Sequence, residues 1–317
     1  MGAGAIGAYL GASLVRGGAS VALIARGPHG QAMRDRGVTV RSPQGDFHVD
    51  VEVTESLEPV SSADVTILAV KAQSLPGLAA AVGARVAPDA VVVGAQNGLP
   101  WWYFNRHGGV LEGLVLESTD PNGAISRHIG LDHVIGCVVY CSTAIAEPGV
   151  IQHVEGTRFA IGELDGATSE RCDAIAAQLV AGGLKCSIEA DIRSSIWLKL
   201  IGNVAFNPVS ALTGLTMGEM GLRPSLRELL WELLEEAHLV AEALGVKLRV
   251  SKERRYEAAF AVGDHKTSML QDLEAGRPLE YQCMTGAIIE LAEVLDLEIP
   301  RTRVVHALLA GIDPGHG

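Results

Sequence analysis

The chain has 317 residues, a formal net charge of −12, and 48% hydrophobic against 20% charged side chains. That is enough length for two domains and enough apolar material for a sizeable core. The acidic balance argues against nucleic acid or an anionic membrane as the main partner, so an anionic ligand has to be met by local positive charge or by helix N-termini.

Five cysteines, at 137, 141, 172, 186 and 283, are odd in number and lack metal-ligand spacing. They read as reduced thiols in a cytoplasmic protein with no metal site. No stretch has the pattern of a signal peptide or a transmembrane span.

Gly2-Ala3-Gly4-Ala5-Ile6-Gly7 fits G-x-G-x-x-G. The glycines permit a tight turn and close approach to a pyrophosphate, with a helix N-terminus behind them supplying N–H groups. The predicted helix runs through Tyr9 to Val15 and stops at Gly17-Gly18. A strand over residues 20–25 then leads to Arg26. An acidic residue at that point suits a ribose 2′-hydroxyl, whereas Arg26 suits a 2′-phosphate and favours NADP(H); the plainer alternative is a surface charge.

Two more apolar runs, 65–70 and 90–95, suit parallel strands buried on both faces, with a helix around residues 78–82 between them. Lys71 and Asn97 follow these runs, where ligands of open α/β sheets bind. Both are therefore site candidates, although Asn97-Gly98 also reads as a simple turn. A strand is expected before the first glycine of such a motif, between the strands that end at Arg26 and Lys71, and only Met1 precedes Gly2. The expectation is that a short apolar strand lies upstream and that a chain from Met1 is less stable without it.

Trp101-Trp102-Tyr103-Phe104 reads as a lid, a substrate wall or a dimer contact. Residues 134–140 read as a strand, and 149–154 with 158–162 as a hairpin, which makes His153 structural. From about residue 167 the periodicity turns helical: a helix over 169–181, a short strand over 185–188, and a helix capped by Asp191. Ser225-Leu226-Arg227-Glu228 has the form of a capping box opening a helix that stops near Gly245. Asp264 is a candidate cap for a helix ending at Gly276, and residues 277–280 form a loop feeding two final helices.

The helix after Asp191 contains Trp197-Leu198-Lys199-Leu200-Ile201-Gly202-Asn203-Val204-Ala205-Phe206-Asn207-Pro208. Lys199, Asn203 and Asn207 recur every four residues and share one stripe of an otherwise apolar helix. A buried Lys and two amides need partners. They are either satisfied core groups or a proton donor with two orienting amides.

Together these motifs resemble the ketopantoate reductases, the 2-dehydropantoate 2-reductase family. The match runs through the glycine motif, Arg26, Val70-Lys71-Ala72, Gln96-Asn97-Gly98, Trp197-Leu198-Lys199-Leu200 with Asn203 and Asn207-Pro208, Ser268-Met269-Leu270-Gln271-Asp272 and Leu279-Glu280-Tyr281. The resemblance implies an α/β fold with two domains. The first, 1–166, is a Rossmann-type NADP-binding domain. The second, 167–317, is all-helical and resembles the 6-phosphogluconate dehydrogenase C-terminal domain.

It further implies NADPH-dependent reduction of ketopantoate to pantoate in coenzyme A biosynthesis. Lys199 would be the general acid and Glu280 would assist. Asn97, Asn203, Asn207 and Ser268 would contact substrate. Gly2, Ala3, Gly4, Ala5, Ile6, Gly7, Arg26, Lys71 and Asn97 would serve the cofactor. Leu99-Pro100-Trp101-Trp102 is bulkier than this family implies beside a substrate, which leaves another branched or aromatic 2-keto acid as the alternative substrate. A non-catalytic NADP(H)-binding sensor is the alternative of another class, and a homodimer is left open.

Overall fold

The computed structural model describes residues 1–260 and 263–316. The chain divides into two compact units. The first comprises 1–96, 101–115 and 122–192; the second comprises 97–100, 116–121 and 193–317.

The first unit begins with α1 (Ala5–Arg16), which ends at Gly17 as the pattern implies. β1 (Ala22–Ile24) follows, then α2 (Gly27–Arg36), β2 (Val38–Arg41), β3 (Phe47–Val49) and β4 (Glu52–Thr54). The sequence reading had not resolved residues 27–54 into elements, because runs of three or four residues are too short for either periodicity to register. β5 (Val65–Leu68), α3 (Pro76–Gly83) and β6 (Val91–Gly94) fall inside the expected stretches.

β7 (Val134–Glu147) and β8 (Val150–Gly162) are long antiparallel partners joined at Pro148-Gly149. This corrects the expected hairpin of 149–154 with 158–162. Gly156, between those two stretches, lies inside β8 at φ +71, and the pairing register with β7 shifts nearby, between Tyr140 and Ser142. It is a bulge position, where positive φ lets a strand continue with an added twist. His153 is structural, as expected. It is fully buried, stacked on Tyr9 at 4.6 Å, and its ring nitrogens pair with Ser42 Oγ at 2.9 Å and the Gly156 carbonyl at 2.6 Å.

The larger sheet has the order β3-β2-β8-β7-β6-β5. β5, β6 and β7 are mutually parallel neighbours. α4 (Glu170–Ala181) and β9 (Lys185–Ile188) follow, and β9 pairs with β8. Through β9 the first unit also includes residues 167–192.

β1 and β4 form a separate two-stranded parallel pair. Met1 and Gly2 lie between this pair and β5. Gly2 N–H donates to the Ile24 carbonyl at 3.0 Å, the Met1 amine to the Ile67 carbonyl at 2.6 Å, and Ala69 N–H to the Met1 carbonyl at 2.8 Å.

Trp101, Trp102, Tyr103 and Phe104 are all buried. Trp102 packs on Gly136 of β7, where an added Cβ would meet its ring at 2.8 Å. These aromatics form core of the first unit, and their burial removes them as an exposed dimer contact.

In the second unit the described residues outside loops are helical. α5 (Ile192–Thr213) carries the Lys199 stripe and continues through Pro208. α6 (Met217–Gly221) opens on a capping box of Thr216 and Glu219. α7 (Pro224–Ala243) begins with Pro224 at its first turn and has no side-chain cap at Arg223. The capping box expected at Ser225 is therefore absent: the proline starts the helix one residue earlier and places Ser225 inside it.

α8 (Lys252–Phe260) was not anticipated. α9 (Ser268–Glu274) is capped by Thr267, which accepts from Leu270 N–H, in place of the expected Asp264. A π-helical turn, Gln282–Gly286, runs into α10 (Ala287–Val294), and α11 (Pro300–Ile312) completes the unit. No described helix is long and apolar enough to cross a membrane.

Candidate active site

In the second unit three of the candidate residues meet. Lys199 Nζ donates to Asn97 Oδ1 at 2.6 Å, and Asn97 Nδ2 donates to Glu280 Oε2 at 3.4 Å. The Asn97 amide thus spans an ammonium and a carboxylate, with its oxygen toward the cation and its nitrogen toward the anion. Glu280 is only 6% exposed, whereas Lys199 and Asn97 are half-buried. A burial gradient of this kind keeps the carboxylate away from solvent and leaves the ammonium reachable.

Local backbone geometry holds the group. Gly98 has φ +85, and a Cβ there would meet the Cys283 carbonyl oxygen and Sγ at 2.5 Å. Only glycine fits both demands. The next residue, Leu99, donates its N–H to the Cys283 carbonyl at 2.7 Å. Cys283 Sγ itself lies 3.5 Å from the carbonyls of both Asn97 and Glu280. The turn after β6 is therefore pinned to the π-helical turn that follows Glu280. Gly98 and Cys283 were not among the expected site residues. The Asn-Gly pair was the available signal for the first, and a lone Cys in a helical stretch gave none for the second.

Asn207 is buried, and its Nδ2 lies 3.9 Å from Met284 Sδ on the same π-helical turn. Asn203 is half-buried one turn from Lys199, and Ser268 is exposed at the start of α9. No hydrogen bond joins the Asn203 or Ser268 side chain to Lys199, Asn97 or Glu280 among the described residues. The stripe is therefore divided: Lys199 engages Asn97, Asn207 packs toward Met284, and Asn203 lies between them in sequence.

The dinucleotide motif belongs to the first unit. A Cβ on Gly2 would meet Val70 Cγ1 at 2.5 Å, so the turn lies hard against the residues after β5. A Cβ on Gly4, the residue before α1, would find nothing within 4 Å, and the first turn of α1 has no acidic residue. The first-turn N–H groups of a helix have no intrahelical acceptor. An open approach without negative charge suits a phosphate there.

Gly2 and Ala3 both donate to the Ile24 carbonyl, two residues before Arg26. Arg26 is exposed at the N-terminus of α2, and its side chain makes no hydrogen bond among the described residues. These residues fit the phosphates of a nicotinamide dinucleotide. Lys71, half-buried, follows β5, as Asn97 follows β6.

Comparison with known proteins agrees with this layout. Residues 1–166 match the family model described as ketopantoate reductase PanE/ApbA, and residues 191–313 match its C-terminal counterpart. The chain is 41% identical over 309 residues to a 2-dehydropantoate 2-reductase of Mesorhizobium japonicum, covering 97% of this chain and 95% of the relative.

Among solved structures, a PanE/ApbA family ketopantoate reductase from Ralstonia eutropha superposes with a TM-score of 0.84 at 28% identity, covering 98% and 96% of the two chains. A D-mandelate dehydrogenase solved with NADH and anilino(oxo)acetate shares the fold at a TM-score of 0.83 and 19% identity, covering 98% and 96%. The chain belongs to the ketopantoate reductase family.

Proposed function

We propose that this protein reduces ketopantoate to pantoate with NADPH, using Lys199 as the proton donor. The observation that carries the reading is the Lys199–Asn97–Glu280 hydrogen-bonded group in a chain of this family. A sensor that only binds a dinucleotide has no use for an ammonium linked through an amide to a buried carboxylate.

A bound reduced nicotinamide would supply the hydride. The work of the chain itself is to meet the negative charge that builds on the substrate's carbonyl oxygen. Lys199 donates a hydrogen bond to that oxygen and then its proton. Asn97 aims the ammonium through its Oδ1, and Glu280 fixes the orientation of the Asn97 amide. Asn203, Asn207 and Ser268 supply neutral donors and acceptors for the substrate's carboxylate and hydroxyl. On the cofactor side, the Gly2–Gly7 turn and the start of α1 take the pyrophosphate, Arg26 takes the 2′-phosphate, and Lys71 completes the binding. Five free thiols and the biosynthetic role are in keeping with the cytoplasm.

The experiment is NADPH oxidation measured against ketopantoate and a panel of branched and aromatic 2-keto acids, with the hydroxy-acid product identified. Ketopantoate giving the highest kcat/KM is the expected result. A higher value for another 2-keto acid would reassign the substrate, and no turnover with any would return the sensor reading.

A further inference from the structure

A second cation lies against the Lys199 helix. α8 is fixed to α7 by Tyr256 Oη donating to the Arg227 carbonyl at 2.7 Å, by Arg227 pairing with Glu257 at 2.8 Å, and by Lys252 pairing with Glu235 at 2.9 Å. Phe260 at its end meets Phe206 of α5 edge-on at 5.7 Å. Held in this way, α8 directs Arg255 toward α5, where its Nη2 lies 2.8 Å from the point a Cβ on Gly202 would occupy.

Gly202 is three residues after Lys199 and one before Asn203. At about 100° per residue the three positions fall within roughly 100° of the helix circumference. The missing side chain at Gly202 is therefore the space that a guanidinium fills on the Lys199 face. Arg255 also lies near His238 of α7, whose imidazole is pushed below its ordinary value by burial first and then by the Arg255 charge.

We infer that Arg255 is the anchor for the carboxylate of the substrate, with Gly202 as the notch that admits it. The inference rests on the proposed 2-keto acid reduction and deepens it. That reaction presents a carboxylate adjacent to the carbonyl that Lys199 protonates, in a protein whose net charge of −12 repels anions. Neutral Asn and Ser side chains do not offset that repulsion, whereas a planar guanidinium offers two parallel N–H donors matched to a carboxylate. Arg255 does not touch the reacting atoms in this assignment; it sets substrate affinity and orientation.

The test is steady-state kinetics of Arg255→Gln, Arg255→Lys and Gly202→Ala beside the wild type, with NADPH affinity and melting temperature measured on each. Losing a charged hydrogen-bonded anchor is expected to raise KM for the 2-keto acid about 10–100-fold, with kcat changed far less and NADPH affinity unchanged. Arg255→Lys should recover part of the loss. Gly202→Ala, by displacing the guanidinium, should raise KM likewise, and combining it with Arg255→Gln should add little further. An unmoved KM in Arg255→Gln and Gly202→Ala overturns the assignment, as does a loss of kcat that follows melting temperature. A wild type inactive on every 2-keto acid would instead bring down the proposed reaction and this assignment with it.

Discussion

Lys199 and Glu280 are joined through one side chain: Asn97 accepts from the ammonium at 2.6 Å and donates to the carboxylate at 3.4 Å. Three segments far apart in sequence, the turn after β6, helix α5 and the loop before the π-helical turn, therefore share one polar group. The Asn97 amide orients the ammonium with its oxygen and the carboxylate with its nitrogen.

The Asn97 turn depends on Gly98. Gly98→Ala would place a methyl group against the Cys283 carbonyl and force a left-handed φ on alanine. The strained backbone alone costs about 1–2 kcal/mol. A melting temperature lowered by several degrees, with kcat falling more than NADPH affinity, is the expected outcome. An alanine variant as stable and as active as the parent would show that the turn has freedom to move.

Arg26 lies two residues after β1 and stands exposed as the N-cap of α2. Arg26→Ala should weaken NADPH binding about 10–100-fold, as expected for the loss of a charged hydrogen bond, and leave NADH binding nearly unchanged. Titration of both cofactors into both proteins decides the matter; equal losses for the two would remove Arg26 from the 2′-phosphate.

Glu163 and Arg171 form a two-pronged ion pair in the first unit, at 2.6 and 2.5 Å, with Ser169 donating to the same carboxylate at 2.6 Å. The Arg171 hydrogen bonds hold the Glu163 carboxyl below its ordinary 4.5. A depressed carboxylate adds stability that is fully present above the unfolded value and is lost as pH falls through the folded one. Arg171→Ala should cost about 2 kcal/mol at neutral pH, and the gap to the parent should narrow below pH 4.5. Urea unfolding at several pH values measures this. A gap that stays constant down to acid pH would mean that the pair contributes through packing alone.

Burial pushes the Met1 amine from 8.0 down to about 6. A base whose folded value is depressed binds more protons when unfolded, so stability rises with pH between about 6 and 8. For a chain that starts at Met1, melting temperature should climb across that window, and Nα-acetylation should flatten the climb. A flat profile in the unacetylated chain would show that the amine reaches water.

Much of this organisation was legible in the residues. Long apolar runs and the glycine motif located α1, β5, β6 and the helical second half, because buried parallel strands and buried helices leave strong periodic signals. The polar stripe of α5 marked Lys199 before any geometry was available. Its partners across the fold were harder to find: Gly98 matters through a missing Cβ, hinted at only by the Asn-Gly pair, and Cys283 through a carbonyl with no sequence signature. The extent of β8 was misread because a bulge glycine has the same composition as a turn glycine. α8 gave little signal because seven of its nine residues are charged or alanine, with Tyr256 and Phe260 as its main apolar contacts.

The central claim is that Lys199 gives the proton. It is tested by the kcat of Lys199→Ala with saturating ketopantoate and NADPH, with the Kd for NADPH measured on the same preparation. Loss of a positioned acid should lower kcat by about 10²–10⁴-fold while the Kd stays within about threefold of the parent. A variant that keeps kcat within a few-fold of the wild type would contradict it.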